Sequence, residues 1–94
     1  MLSKIPIDLE KMENGNIDRE VLRVGIIAEL DAINLYEQLA GITKNEDIKK
    51  VLEDIANEEK THVGEFQTLL LKLDEKQVEE MEKGKKEVEE LTGE

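Results

Sequence analysis

The chain contains no cysteine and no tryptophan, and Tyr36 and Phe66 are its only aromatic residues. Without cysteine there can be no disulfide and no thiolate metal site. With aromatics at 2% and charged residues at 39%, the composition favours a helix-rich chain over a β protein. Positive charge is also scarce: 13 basic against 24 acidic side chains leave a formal net charge of −11. Nucleic acid is therefore not an expected partner, because phosphate binding needs a basic face. An acidic surface attracts small cations, although charge alone does not make a site. No apolar run approaches the roughly 20 residues that a membrane span requires, so no membrane association is expected. The N-terminus carries no apolar signal core, and the chain reads as cytoplasmic. Its 94 residues argue for one domain.

Three segments follow from the punctuation. Residues 1–16 have no helical period, and Pro6 and Asn14-Gly15-Asn16 interrupt them. Ile5, Ile7 and Leu9 alternate there, which suits an extended N-terminal arm docked against helices. Residues 17–73 carry two long amphipathic helices that make a hairpin. Asp18 is the expected N-cap of the first, with Glu20 in its first turn, and Gly41 supplies a stop after about Ala40. Asn45 caps the second, with Glu46 and Asp47 in its first turn. Residues 74–94 form a third, acidic helix. Asp74 and Gln77 make a weak capping box at its start, Val78, Met81, Val88 and Leu91 are its apolar positions, and Gly84 weakens its middle. Eight acids and four lysines within residues 75–94 mark this end as solvated.

The apolar stripe of the first helix runs Leu22, Ile26, Glu29, Ile33, Tyr36, Ala40. That of the second runs Ile48, Leu52, Ile55, Glu59, His62, Phe66, Leu69, Leu73. Both advance in steps of three and four, which keeps residues on one helix face. Glu29, Glu59 and His62 thus occupy positions that the pattern assigns to the core. A buried lone carboxylate costs several kcal/mol or a large pKa shift, so three metal-ligand side chains at such positions point to a bound cation. Two helices cannot cover each other's apolar surfaces. Val24, Ile27, Leu35 and Leu39 on the first, and Val51, Val63 and Leu70 on the second, need another partner. Two hairpins packed face to face would make a four-helix bundle.

The spacing sharpens the chemistry. Glu59-x-x-His62 places two ligands one turn apart on one face, and an antiparallel hairpin brings Glu29 toward the same level. Two-iron carboxylate centres in helical bundles take one Glu from each of two helices and a Glu-x-x-His from each of the other two. This chain carries half of that set, and a two-fold homodimer completes it with two iron ions per dimer. Carboxylate and imidazole ligands suit iron(II) and leave room for oxygen or water. Glu59 is expected to bridge the metals, with Glu29 and His62 terminal. Tyr36, two turns beyond Glu29, could hydrogen-bond a ligand carboxylate. Glu58, Glu65 and Asp31 are the candidates to orient the second nitrogen of His62. Taken singly, each residue has a plainer reading. His62 suits a packed helical histidine, Glu29 a position just off the core face, Tyr36 a core residue with its hydroxyl at the edge, and the other acids a solvated face. It is the coincidence of three ligand types at matching depth in two apolar stripes that favours metal.

The segment Glu29-Leu-Asp-Ala-Ile-Asn-Leu-Tyr36, followed by Glu58-Glu-Lys-Thr-His62, resembles the encapsulated ferritins, short members of the ferritin-like superfamily. The resemblance spans residues 18–73 and extends more weakly to Thr92. It implies an all-α half-bundle that dimerises into a ferritin-like four-helix bundle, with dimers assembled into an open ring, a decamer being the candidate size. It implies a ferroxidase that oxidises iron(II) and feeds iron storage inside an encapsulin shell. Glu29, Glu59 and His62 match the iron ligands, Tyr36 a nearby tyrosine, and Asp31 an acid on the iron approach. Ala28 and Leu35 depart from the pattern, standing where the family has a second approach acid and an aromatic residue. No targeting peptide is recognised in Glu87 to Glu94. That ending is similar to the segment leading into a fused shell domain in some archaeal proteins, so the chain is also read as a piece of such a fusion. The competing expectations are a rubrerythrin-like di-iron peroxidase, a zinc or manganese protein without redox work, and a non-catalytic helical assembly module.

Overall fold

The computed structural model describes residues 17–94. The expected N-terminal arm, with Ile5, Ile7 and Leu9, lies outside the described residues. Three helices follow in order: α1 (Ile17–Ile42), α2 (Glu46–Leu73) and α3 (Glu75–Thr92). There is no strand among the described residues, and the all-α expectation holds. None of these helices is long and apolar enough to cross a membrane.

The short α1–α2 turn is ordered by the Asn45 side chain, which caps the start of α2. Asn45 Oδ1 accepts the backbone N–H groups of Asp47 and Ile48 at 3.0 and 3.1 Å, which satisfies two donors that a helix start leaves open. Thr43 Oγ1 accepts the Asn45 N–H at 3.2 Å. Two expected ends move. Gly41 does not stop α1: the helix continues to Ile42, and among the described glycines only Gly93 has a positive φ. The last turn of α1 is closed by the Thr43 N–H, which donates to Leu39 O at 3.1 Å, with no left-handed residue at this end. At the other end α1 begins at Ile17, so Asp18 sits inside the first turn with Glu20 rather than at the cap; both acids still complement the helix dipole.

α2 passes into α3 through a single non-helical residue, Asp74 (φ −134°, ψ 86°). Its Oδ1 accepts the Gln77 N–H at 3.0 Å, as the capping pattern predicts. Its Oδ2 accepts from Arg23 of α1 at 2.9 Å. Asp74 is the only buried charged or polar residue among those described. The Gln77 hydrogen bond holds its carboxyl below the ordinary carboxylate value. Burial opposes this, while the Arg23 hydrogen bond and the charges of Arg19 and Arg23 reinforce it. At the far end of α3, Gly93 (φ 78°) is the left-handed cap, donating its N–H to Glu89 O at 2.8 Å.

The core between α1 and α2 is thin: Leu22, Ile33 and Ala40 face Ala56 and Leu70. The expected α2 stripe is rotated at its ends. Ile48, Leu69 and Leu73 are half-exposed, while Ala56 and Leu70 take the buried positions. A straight helix drifts by about 20° per heptad against a 3.5-residue repeat, so a stripe drawn in steps of three and four over 28 residues leaves the contact line. Val21, Leu30, Leu39, Ile42 and Val51 are also exposed, as are Val78, Met81, Val88 and Leu91 of α3. The radius of gyration is 16.7 Å, against roughly 12 Å for a compact domain of this size. This shape leaves much apolar surface uncovered by the chain's own helices.

Candidate metal centre

Glu29 lies mid-way along α1, and Glu59 and His62 share one face of α2. The antiparallel packing brings all three together. One donor atom from each lies within 4.8 Å of the others. His62 Nδ1 is 3.3 Å from Glu59 Oε2 and 3.5 Å from Glu29 Oε2. The two carboxylate side chains are each 19% exposed, whereas that of His62 is 45% exposed. The group therefore has an enclosed side, made by the carboxylates, and an open side at the imidazole.

Glu29 Oε2 is buried and has no hydrogen-bond partner. A buried acceptor without a donor is costly, and a carboxylate oxygen aimed at two other ligand-type side chains is what a cation site requires. The donor set, two carboxylates and one imidazole, suits a first-row divalent metal. With nitrogen and oxygen ligands such ions sit roughly 2.0–2.2 Å from each donor. Donors bound to one ion are then about 3–3.4 Å apart, near the two separations measured to His62 Nδ1. Nδ1 is the nitrogen that faces the carboxylates, which leaves Nε2 for an outer partner.

Other residues singled out by the sequence stand outside this group. Tyr36 is half-buried on the same side of α1, two turns beyond Glu29. Asp31 is partly buried and lines a surface recess with Ile27, Leu30 and Asn34, well around the helix from Glu29. Glu58 and Glu65 are exposed. Two ion pairs had no signal in the sequence pattern: Arg23–Asp74 and Glu37–Lys60, both at 2.9 Å. On α1, Glu29 falls between Arg23 and Glu37. The partners are far apart along the chain, and only the helix register reveals them.

Comparison with known proteins points the same way. The family model described as Rubrerythrin matches residues 20–93. The chain is 61% identical over 74 residues to the ferritin-like–encapsulin shell fusion protein of Pyrococcus furiosus, covering 79% of this chain and 21% of that protein. It is 42% identical over 67 residues to the encapsulin nanocompartment cargo protein EncC of Myxococcus xanthus, covering 71% of this chain and 51% of that one. The chain thus matches about a fifth of the first relative and about half of the second. The crystal structure of the encapsulated ferritin domain from Pyrococcus furiosus superposes with a TM-score of 0.85 at 50% identity, covering 100% of this chain and 96% of that one.

Proposed function

The chain belongs to the rubrerythrin family, among the encapsulated ferritins, and from that premise we propose that it is a ferroxidase whose di-iron centre is shared by two copies of the chain. The observation that carries this reading is the unsatisfied Glu29 Oε2, enclosed beside Glu59 and His62. Iron(II) is the substrate. Each ion gives up one electron to dioxygen, and iron(III) is the product to be stored.

The residues divide the work. Glu59 has two carboxylate oxygens and would bridge the two irons between the halves of a paired site. Glu29 and His62 would bind terminally, and the negative charges of the Glu29 and Glu59 carboxylates would offset part of the metal charge that oxidation increases. His62 binds through Nδ1, and its partly exposed ring is completed by the second copy. In the assembled centre the Tyr36 hydroxyl would donate to a ligand carboxylate, and Asp31 and the surrounding acids would raise the local cation concentration. Residues 17–73 form the metal-binding hairpin, and residues 74–94 an acidic helix used in assembly. Dimers assemble further into a ring, and the ring works within an encapsulin compartment in the cytoplasm. The names of the fusion and cargo relatives support this placement.

Anaerobic loading with iron(II) tests the centre: about one iron per chain, two per dimer, is the expected stoichiometry for a half-set of ligands. No tight iron binding would favour an assembly module. The family match also favours a second reading, a di-iron peroxidase. Rapid oxidation of the loaded iron by hydrogen peroxide, with slow oxidation by dioxygen, would select it.

A further inference from the structure

Gly25 stands one turn before Glu29 on α1, and Phe66 one turn after His62 on α2. Antiparallel packing sets these two residues at the level next to the ligands. A Cβ added to Gly25 would lie 3.2 Å from Phe66 Cε2 and 3.3 Å from Cδ2 and Cζ. Carbon atoms in good contact are about 3.5–4.0 Å apart, so a side chain at Gly25 would press on the ring and force it to give by a few tenths of an ångström. Gly41, Gly64 and Gly84 meet nothing within 4 Å. A mid-helix glycine weakens a helix relative to alanine. At Gly25 this cost is accompanied by a specific contact, and the contact belongs to the chain's one phenylalanine.

We propose that Gly25 and Phe66 are positioning residues for the metal centre: the ring seated on the bare α1 backbone sets the separation between Glu29 and the Glu59–His62 pair. This rests on the reading of those three residues as metal ligands. Glu29 and His62 are held on opposite helices, so their 3.5 Å approach depends on how closely the helices run at this level. Functional constellations tolerate displacements of only about 0.5 Å. A methyl on Gly25 requires the Phe66 ring to give way by a few tenths of an ångström, one turn from both ligands.

Cobalt(II) titration of the full chain, read by its visible spectrum, tests this. Gly25→Ala should weaken cobalt binding by about tenfold or more, the range seen when outer-shell support of a metal site is lost, and should alter the visible bands. Its helicity should be retained, because alanine is the better helix former. Gly41→Ala, in the same helix with open space around it, should bind as wild type. Phe66→Leu should also weaken binding, and the double variant Gly25→Ala/Phe66→Leu should recover much of the loss, because the added methyl occupies space the ring has left. Wild-type affinity and spectrum in Gly25→Ala would overturn the positioning role alone. So would a double variant no better than the worse single one. A wild-type chain that binds no cobalt at Glu29, Glu59 and His62 would overturn the metal centre and this role together. Phe66→Leu and the double variant decide the matter even if Gly25→Ala fails to fold.

Discussion

Glu29 Oε2 faces His62 Nδ1 at 3.5 Å, across the two helices of the hairpin, yet accepts no hydrogen bond. The separation lies outside the usual 2.7–3.2 Å range for an N–H···O bond. A protonated His62 drawn between Glu29 and Glu59 would be the structural alternative to a metal. It accounts for the proximity of the three groups. It does not account for a buried oxygen left without a donor, whereas a metal ion uses that lone pair directly.

The first prediction concerns catalysis. Glu59→Ala should abolish rapid oxygen-dependent iron(II) oxidation, because it removes the carboxylate assigned to bridge the two irons. Glu29→Ala and His62→Ala should each weaken iron binding by more than the roughly 10–100-fold typical of outer-shell changes. Tyr36→Phe should leave iron bound and change the rate less. Stopped-flow absorbance after mixing with aerated buffer measures all four. Wild-type kinetics in Glu59→Ala would place the chemistry elsewhere.

Assembly should respond to metal. The exposed apolar residues of the hairpin and of α3 favour association, and a site completed by two chains binds metal only in the paired state. Metal at 100 times its dissociation constant then adds about 2.7 kcal/mol to the paired state for each ion bound. Sedimentation velocity at micromolar protein should show a larger species with iron(II) or cobalt(II) than with chelator. A stable folded monomer under both conditions would reject the shared site.

The main architecture and the three candidate ligands that the structure brings together were legible in the sequence because helix periodicity is local. Steps of three and four identify a face, and a Glu or His on that face stands out against Leu and Ile. Asn45, Asp74 and Gln77 were legible for the same reason, since capping acts within one turn. What was not legible depends on register between helices. Arg23 meets Asp74 because α1 and α2 align at a particular offset, and nothing near Arg23 announces this. The burial of Ala56 and Leu70 in place of Ile48, Leu69 and Leu73 reflects the cumulative drift of a 3.6-residue helix. Gly25 reads in sequence as a helix-weakening residue, and its role emerges only when Phe66 is placed against it.

Asp74 should make stability fall in acid. Its folded-state carboxyl titrates below the ordinary value, chiefly through the Gln77 N–H, with Arg23 and Arg19 assisting. A depressed carboxylate contributes stability that is fully present above the unfolded value, near 3.8, and is lost as pH falls through the folded value. Asp74→Asn keeps a capping oxygen but loses the charge opposite Arg23. Its melting midpoint should lie below that of wild type at pH 7, and the two should converge below about pH 3.8. Parallel midpoints across the whole range would mean that the charge contributes nothing to folding.

The last prediction separates a metal site from a structural ion cluster. In a metal-free dimer with a shared site, two copies each of Glu29 and Glu59 would crowd one poorly solvated space, and Glu29 Oε2 has no donor within its own chain. Like charges at this distance repel, and bound metal relieves the repulsion. Replacing both carboxylates with amides removes it without metal. The double variant Glu29→Gln/Glu59→Gln should therefore be more stable than wild type in chelator, by at most a few kcal/mol per dimer, and should no longer oxidise iron(II). If instead the carboxylates held a protonated His62 in a structural cluster, the same variant would lose two favourable charge interactions and melt lower. Thermal unfolding in chelator at pH 7 decides between them, and repeating it with cobalt(II) provides the complement: metal should raise the wild-type midpoint and leave that of the double variant unmoved.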